Sequence, residues 1–234
     1  MNEELVSELI SIVIPVYNEE QSLNALFSRL FPVMKAYNHE IIFINDGSHD
    51  NSLEILSGES KTNPNMRVIS LTKNSGQHKA IMKGFEVSGG ELIITMDADL
   101  QNPPEEIPRL IEEYHKGHDV IGTIRLKRQD NIFRKTASYT ANRITNMITG
   151  FKIHDYGCML RGYSHDIVSR ILRVKRDDIF IPALAQRLAH NPVEIEISHS
   201  EREYGESKYS LMKLIRLFMS LIRTAYIKDI KEMK

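Results

Sequence analysis

The chain has 234 residues, of which 41% are hydrophobic and 26% charged. That balance fits one large folded domain with a short appendage, and it excludes a disordered, collagen-like or coiled-coil chain. The formal net charge of −1 gives no global attraction to nucleic acid, and no nucleic-acid partner is expected.

The first half alternates apolar, β-rich runs with helical patterns. Strands are predicted at Ile10–Val16, Glu40–Ile44, Arg67–Leu71, Leu92–Met96 and Asp119–Ile124. Helices are predicted between them at Gln21–Tyr37, Ser52–Lys61, Gln77–Ser88 and Glu105–Lys116. Near-continuous apolar strands separated by helices predict an α/β fold with a mostly parallel sheet covered on both faces. The second half predicts a helix at Ile132–Gly150, a strand at Tyr156–Tyr163, a helix at Ile179–His190 and a short strand at Val193–Ile197. No repeat or low-complexity linker interrupts the chain. The division is a single domain over 1–200 and a C-terminal helical segment over 201–234.

In a parallel sheet, ligands bind beyond the carboxyl ends of the strands. The residues there are Tyr17-Asn18-Glu19-Glu20, Asn45-Asp46-Gly47-Ser48, Lys73-Asn74-Ser75-Gly76 and Asp97-Ala98-Asp99-Leu100-Gln101. Each set alone reads as turn chemistry, with Asp46-Gly47 a turn dipeptide and Ser48 and Ser52 candidate helix caps. Four polar sets at one edge read as a site. If the fourth strand stays extended, Asp97 and Asp99 project to the same side. Gln101 continues that spacing. Two carboxylates and a carboxamide oxygen suit Mg²⁺ or Mn²⁺, with water and phosphate filling the remaining positions.

The chain has no GxxxxGK[ST] loop and no GxGxxG after the first strand, which disfavours a P-loop NTPase and a dinucleotide dehydrogenase. A diphosphate held by metal rather than by a glycine loop points to a sugar nucleotide. The single cysteine, Cys158, leaves no disulfide framework and no CxxC metal site, so a reducing compartment is the default. The start MNEELVSELI lacks a basic n-region, so no signal peptide is expected. The longest run without Asp, Glu, Lys or Arg is Leu9–Asn18, well below the roughly 18 residues of a membrane span.

Positive charge is concentrated in the second half. Residues 122–152 carry seven Lys or Arg (positions 125, 127, 128, 134, 135, 143 and 152) against Asp130 alone. Residues 202–234 carry eight basic residues against four acids, so the remainder is net acidic. In the second basic stretch, Leu211, Leu214, Ile215, Phe218, Leu221, Ile222 and Ala225 follow helical spacing, with Lys213, Arg216 and Arg223 on another face. Such a helix packs on the core, on another subunit or on an anionic membrane surface.

The strings IPVYNEE, NDGSHDNS, NSGQHKAIMKGF and TMDADLQNPPEEIPRL resemble the GT-A glycosyltransferases of family 2. GTIRLKRQDNIFRKTAS, DYGCMLRGY and EREYGESKYS resemble the branch that transfers sugars to polyprenyl phosphate, above all the undecaprenyl-phosphate 4-deoxy-4-formamido-L-arabinose transferases. Dolichyl-phosphate mannose synthases are more distant. The resemblance implies a GT-A, Rossmann-like fold, a UDP-sugar donor, a polyprenyl phosphate acceptor, inversion at the anomeric carbon and a divalent metal. It implies that Pro15, Tyr17, Glu19 and Asp46 line base and ribose, and that Lys79 and Ala80 approach the nucleotide. Asp97 and Asp99 flank the diphosphate, and Asp99 with Gln101 holds the metal. Arg125, Arg134 and Lys208 fall where that branch binds the acceptor phosphate, and Asp155 where some relatives are assigned a base.

A polyprenyl monophosphate, with its second pKa near about 6, is already largely a nucleophilic anion at neutral pH. A positioning or sugar-binding role for Asp155 is therefore favoured over a base. Relatives of this branch continue into two membrane helices, whereas this chain ends in the polar run Lys228–Lys234. The expectation is a cytoplasmic enzyme, peripheral at the inner face of the membrane, a homo-oligomer, with a membrane anchor subunit as one way to meet the lipid.

Other readings stay open at this point. Prenyl-phosphate hexosyltransferases use UDP-glucose, UDP-GlcNAc or GDP-mannose. A transferase to a sugar hydroxyl would want a base, with Asp177-Asp178 the tempting pair. Processive synthases carry a Gln-x-x-Arg-Trp motif, and this chain has no tryptophan. Nucleotidyltransferases want a glycine-rich first loop, which Tyr17–Glu20 is not. A degenerate binding domain would have lost Asp97, Asp99 or Arg134, and all are present.

Overall fold

The structure is a computed structural model that describes residues 8–125, 153–174, 179–198 and 224. Its elements are β1 (Ile10–Val16), α1 (Leu23–Met34), β2 (His39–Asn45), α2 (Ser52–Glu59), β3 (Met66–Ser70), α3 (Gln77–Val87) and β4 (Leu92–Thr95). A 3₁₀ turn (Pro104–Glu106) then leads into α4 (Ile107–His115), followed by β5 (Val120–Arg125), β6 (Arg161–Ser164), α5 (His165–Arg173), α6 (Ile181–Leu188) and β7 (Pro192–Ile197). The strands form one sheet in the order β3-β2-β1-β4-β6-β5-β7.

Strand β1 is the apolar centre. It pairs parallel with β2 on one side and β4 on the other, and β2 pairs parallel with β3. Period-two alternation sends Ile10, Ile12, Ile14 and Val16 into a cluster with Leu26 and Leu30 of α1 and Leu110 of α4. Val13, Ile42, Ile44 and Ile93 join the opposite cluster with Ile81 and Phe85 of α3, Ile167 of α5 and Leu184 of α6. Both faces are covered, which is why these strands read as unbroken apolar runs.

The predicted strand Tyr156–Tyr163 is shorter in the structure and runs the other way. Strand β6 spans only Arg161–Ser164 and lies antiparallel between β4 and β5. Residues 155–160 instead form a turn and connection held by side chains. Because β6 opposes both neighbours, β5 points the same way as β4. Arg125 at the end of β5 therefore shares the carboxyl edge with Asp97, and Arg161, opposite Thr95, begins β6 at that edge.

Ser48 and Ser52 do not cap α2. The N-cap is Asn51, without a side-chain cap bond, and both serines serve the neighbouring loop instead. The predicted helix at 132–150 and the C-terminal amphipathic helix lie outside the described residues, apart from Thr224, which is helical.

Candidate active site

The site is built from loops after β1, β2, β3 and β4. The first two are stitched together. The Asn18 N–H donates to Ser48 Oγ at 3.0 Å, the Glu19 N–H to Ser52 Oγ at 2.9 Å and the Glu20 N–H to Asp50 Oδ2 at 3.1 Å. In return Asn18 Oδ1 accepts from the His49 N–H at 2.8 Å, and Glu20 Oε2 from the Asn51 N–H at 3.0 Å. The bonds to its carboxylate from the Glu20 and Ser52 N–H groups, and from the Ser52 hydroxyl, outweigh burial and hold Asp50 below its ordinary pKa. Tyr17 projects beside His49, ring centroids 6.3 Å apart and edge to face. Pro15 is half-buried in β1, opposite Ile44.

Asp46 joins this pair of loops to the next. It is 3% exposed, and its two oxygens accept the N–H groups of Ser75 (2.7 Å) and Gly76 (2.8 Å). The approach is so close that a Cβ on Gly47, whose φ is +67°, would lie 2.6 Å from Asn74 N. Gly47 is a bend with left-handed backbone, and Asp46 fixes the wall at 73–76. Lys79 is exposed on α3, whereas Ala80 is fully buried in the apolar cluster and seats that helix against the sheet.

The fourth strand ends at Thr95, and Ala98 and Asp99 lie in a turn. The side-by-side projection expected of an extended Asp97-Ala98-Asp99 is thus replaced by separate supports. Asp97 Oδ1 accepts from Gln77 Nε2 at 2.5 Å, and Asp99 Oδ1 accepts from the Gln101 N–H at 3.2 Å. Leu100 between them has φ +61°. Left-handed backbone costs a non-glycine residue roughly 1–2 kcal/mol. Among the described residues only Asn18 and Leu100 share that feature without being glycine, and both lie at this edge. Strain of this kind gathers at functional sites.

The turn is tied to β5 as well. Asn102, 3% exposed, accepts from Cys158 Sγ at 3.4 Å, and Thr123 of β5 donates to Cys158 Sγ at 2.9 Å. Burial pushes the Cys158 thiol above its ordinary pKa, with the Asp155 charge adding to the effect. It is a buried strut rather than a nucleophile.

Arg125 and Asp155, assigned separately by resemblance, are brought together. Arg125 Nε and Nη2 donate to Asp155 Oδ2 and Oδ1 at 2.7 and 2.9 Å, a bidentate pair whose side chains are 12% and 6% exposed. The Gly157 N–H adds a third bond to Oδ1 at 3.0 Å. Both carboxylate oxygens are therefore engaged. Arg134, Lys208 and Asp177-Asp178 lie outside the described residues.

The sequence reading missed Gln77, His78 and Arg161. All three stand inside motifs quoted for the resemblance, and none is marked by spacing or periodicity.

Among the described residues no three His, Cys, Asp or Glu side chains gather as a metal cluster. Asp97, Asp99 and Gln101 instead offer two carboxylates and a carboxamide within the five residues around the turn that follows β4. That all-oxygen set fits a cation which completes its shell from phosphate and water, as Mg²⁺ does.

A mostly parallel sheet with an Asp-x-Asp sequence at its carboxyl edge and no glycine-rich phosphate loop is the arrangement expected of a GT-A sugar-transferring enzyme. Residues 11–172 match the family model for glycosyl transferase family 2, and the chain belongs to that family. It is 50% identical over 218 residues to the undecaprenyl-phosphate 4-deoxy-4-formamido-L-arabinose transferase of Aeromonas hydrophila, covering 92% of this chain and 67% of that protein. The same transferase of Yersinia enterocolitica is 50% identical over 226 residues, 95% of this chain and 69% of that one. The chain thus spans about two-thirds of the length of these curated relatives. Glucosyl-3-phosphoglycerate synthase of Mycobacterium tuberculosis, solved with Mn²⁺ and UDP-glucose, superposes with a TM-score of 0.71 over 97% of this chain and 83% of that one. At 14% identity that likeness shows the shared fold. Among the described residues no helix is long and apolar enough to cross a membrane.

Proposed function

We propose that this chain transfers 4-deoxy-4-formamido-L-arabinose from its UDP-sugar to undecaprenyl phosphate, with inversion and with a divalent cation. The observation that carries the reading is the placement of Asp97 and Asp99 on the same carboxyl edge as Arg125, in a chain half-identical to transferases named for that acceptor and sugar. The UDP donor and the cation are supported by fold neighbours solved with Mn²⁺ or Mg²⁺ and uridine nucleotides.

In this reading Pro15, Tyr17, Glu19 and Asp46 frame base and ribose, and Lys79 reaches toward the phosphates from α3. Asp97, Asp99 and Gln101 hold Mg²⁺ or Mn²⁺, which when bound stabilises charge on the departing nucleoside diphosphate. Arg125, with Arg134 and Lys208, receives the acceptor phosphate. An oxygen of that phosphate attacks the anomeric carbon opposite the leaving group and inverts it. The phosphate is ionised before it binds, so no side chain must take a proton from it. Asp155 accordingly orients Arg125 instead of acting as a base.

The basic segment 201–234 is the membrane-surface contact in this scheme. It places the enzyme at the inner face of the cytoplasmic membrane, as a homo-oligomer or beside a membrane anchor subunit.

Calorimetric titration with UDP and GDP, with and without Mn²⁺, tests the donor half. Metal-dependent UDP binding that Asp99→Asn abolishes in a folded protein is expected. A preference for GDP would move the reading to a mannose-type donor, and metal-independent binding would end the cation assignment. Mass analysis of the lipid product from a panel of UDP-sugars then identifies the sugar.

A further inference from the structure

Among the described residues Arg161 is the one buried arginine, 1% exposed at the start of β6. Enclosing a guanidinium is costly unless its donors find acceptors. Nε donates to the Cys158 carbonyl at 2.8 Å, and Nη2 donates to the Asp155 carbonyl. Both acceptors are main chain, so Arg161 fixes the backbone of the 155–158 turn from inside the protein. Thr95 Oγ1, opposite Arg161 in the register, donates to the next carbonyl, that of Met159, at 2.7 Å. The turn is therefore tied to the strand that delivers Asp97.

What the turn presents is the buried Asp155 carboxylate, which grips one edge of the Arg125 guanidinium. That edge is the Nε–Nη2 edge. The bidentate contact sets the plane of the guanidinium, and with it the plane in which Arg125 can meet a further oxyanion. Gly157 lies directly against this arrangement. An ideal Cβ on Gly157 would lie 2.9 Å from Arg125 Nη2 and 3.5 Å from Asp155 Oδ1. The φ of Gly157 is outside the left-handed range, so backbone conformation does not demand glycine there. The proximity of the guanidinium does.

We infer that Arg161 and Gly157 are positioning residues for Arg125, which they aim at the phosphate monoester of the lipid acceptor. Arg161 sets the turn, the turn sets Asp155, and Asp155 sets the plane of the guanidinium. Gly157 leaves room for that plane. The inference rests on the reading of Arg125 as an acceptor-phosphate residue and goes beyond it in naming what orients that side chain.

Gly157→Ala is the direct probe, because its added methyl meets the Arg125 guanidinium and the Asp155 carboxylate and no backbone atom. The test measures equilibrium binding of detergent-dispersed undecaprenyl phosphate, of undecaprenol and of UDP to the full chain. Gly157→Ala is expected to fold, with a melting temperature lowered by a few degrees at most, and to bind undecaprenyl phosphate about tenfold more weakly, the loss of one charge-assisted hydrogen bond. UDP affinity stays within about twofold, and in turnover the acceptor KM rises while kcat holds. Arg161→Lys keeps the charge but loses the fork, and shows the same acceptor-selective loss. Unchanged lipid-phosphate affinity in folded Gly157→Ala overturns the inference, as does an equal loss of UDP affinity. So does wild-type protein that binds undecaprenol as tightly as undecaprenyl phosphate. If wild-type protein binds the lipid phosphate, with Gly157→Ala weakening it, yet no UDP-sugar is transferred, the positioning role stands and the transfer reading falls.

Discussion

Gln77 and Asp97 are 20 residues apart and meet side chain to side chain, Nε2 to Oδ1, at 2.5 Å. Gln77 opens α3 directly after Gly76, whose N–H is held by Asp46. One chain of contacts therefore runs from the end of β2, through the 73–76 wall, to the carboxylate after β4. In the proposed reading it joins the base-binding end of the donor site to the diphosphate end.

That bond predicts a donor-side defect on losing the amide. Gln77→Leu keeps the bulk and removes the hydrogen bond to a carboxylate, worth about 1.5–3 kcal/mol. The expected effect is a fall of about 10- to 100-fold in kcat/KM for the UDP-sugar, with little change in melting temperature because the contact is only half-buried. Gln77→Glu sets a second negative charge beside Asp97 and should fall at least as far. Initial rates across a range of donor concentration decide it; wild-type rates in both variants would show that Gln77 does not orient Asp97.

Asp46 makes a second, separable case. In Asp46→Asn one oxygen still accepts an N–H, but the new amide turns its own N–H₂ toward the other. A buried donor left facing a donor costs about 1–3 kcal/mol. A chain of this size loses roughly 2–4 °C in melting temperature per kcal/mol. UDP affinity should fall with it, because the 73–76 wall carries Gln77 along. Calorimetry and UDP titration on the same preparation check both. A lower melting temperature with unchanged UDP affinity would make Asp46 a fold residue only.

The legible part of this fold was the part with a local signature. ISIVIPV could be read as β1 because a strand covered on both faces is apolar at nearly every position, with Ser11 the one polar residue, and β1 carries the rest of the sheet. The four polar sets after the strands were legible for the same reason, since parallel strands end together. Arg161 was not legible, because a charged residue in sequence reads as surface and only its two carbonyl partners explain its burial. Ser48 and Ser52 read as caps for the helix beside them, yet their partners are Asn18 and Glu19, some 30 residues away. The Asp97–Asp99 spacing was legible, but the left-handed Leu100 that ends the extended backbone was not, since nothing in the leucine foretells it.

The seat of α3 gives a prediction about the scaffold. A Cβ on Gly84 would lie 2.2 Å from Val13 Cγ1, and Val13 is fully buried in β1. Alanine normally favours a helix interior over glycine by up to about 1 kcal/mol. Overpacking of about 1–3 kcal/mol opposes it here, and at 2.2 Å the clash should win. Gly84→Ala is expected to lower stability in urea titration. Combined with Val13→Ala it should cost less than the two changes summed, by about 1 kcal/mol or more. Simple additivity would mean that α3 shifts freely, and the Gln77–Asp97 geometry would then be soft as well.

His78, next to Gln77, supplies the pH prediction. Its ring stands edge to face on Phe180 with centroids 5.1 Å apart, and Nδ1 is enclosed with no hydrogen-bond partner among the described residues. Burial pushes its pKa from 6.5 down to about 4. The folded chain therefore refuses a proton that the unfolded chain accepts between those two values. Above about pH 6.5 His78 is neutral in both states and adds no pH dependence. As pH falls from about 6.5 toward 4, stability is lost, and below that both states are protonated and the loss is complete. At roughly 1.4 kcal/mol per pKa unit the full loss is about 3 kcal/mol. His78→Leu removes the titrating group while keeping an apolar contact with Phe180. Urea unfolding at pH 7 and pH 4.5 should show wild-type protein losing about 2 kcal/mol more than the variant across that interval. Parallel losses in the two proteins would mean that water or a shifted side chain reaches the imidazole, and that the start of α3 opens more readily than its packing on Phe180 implies.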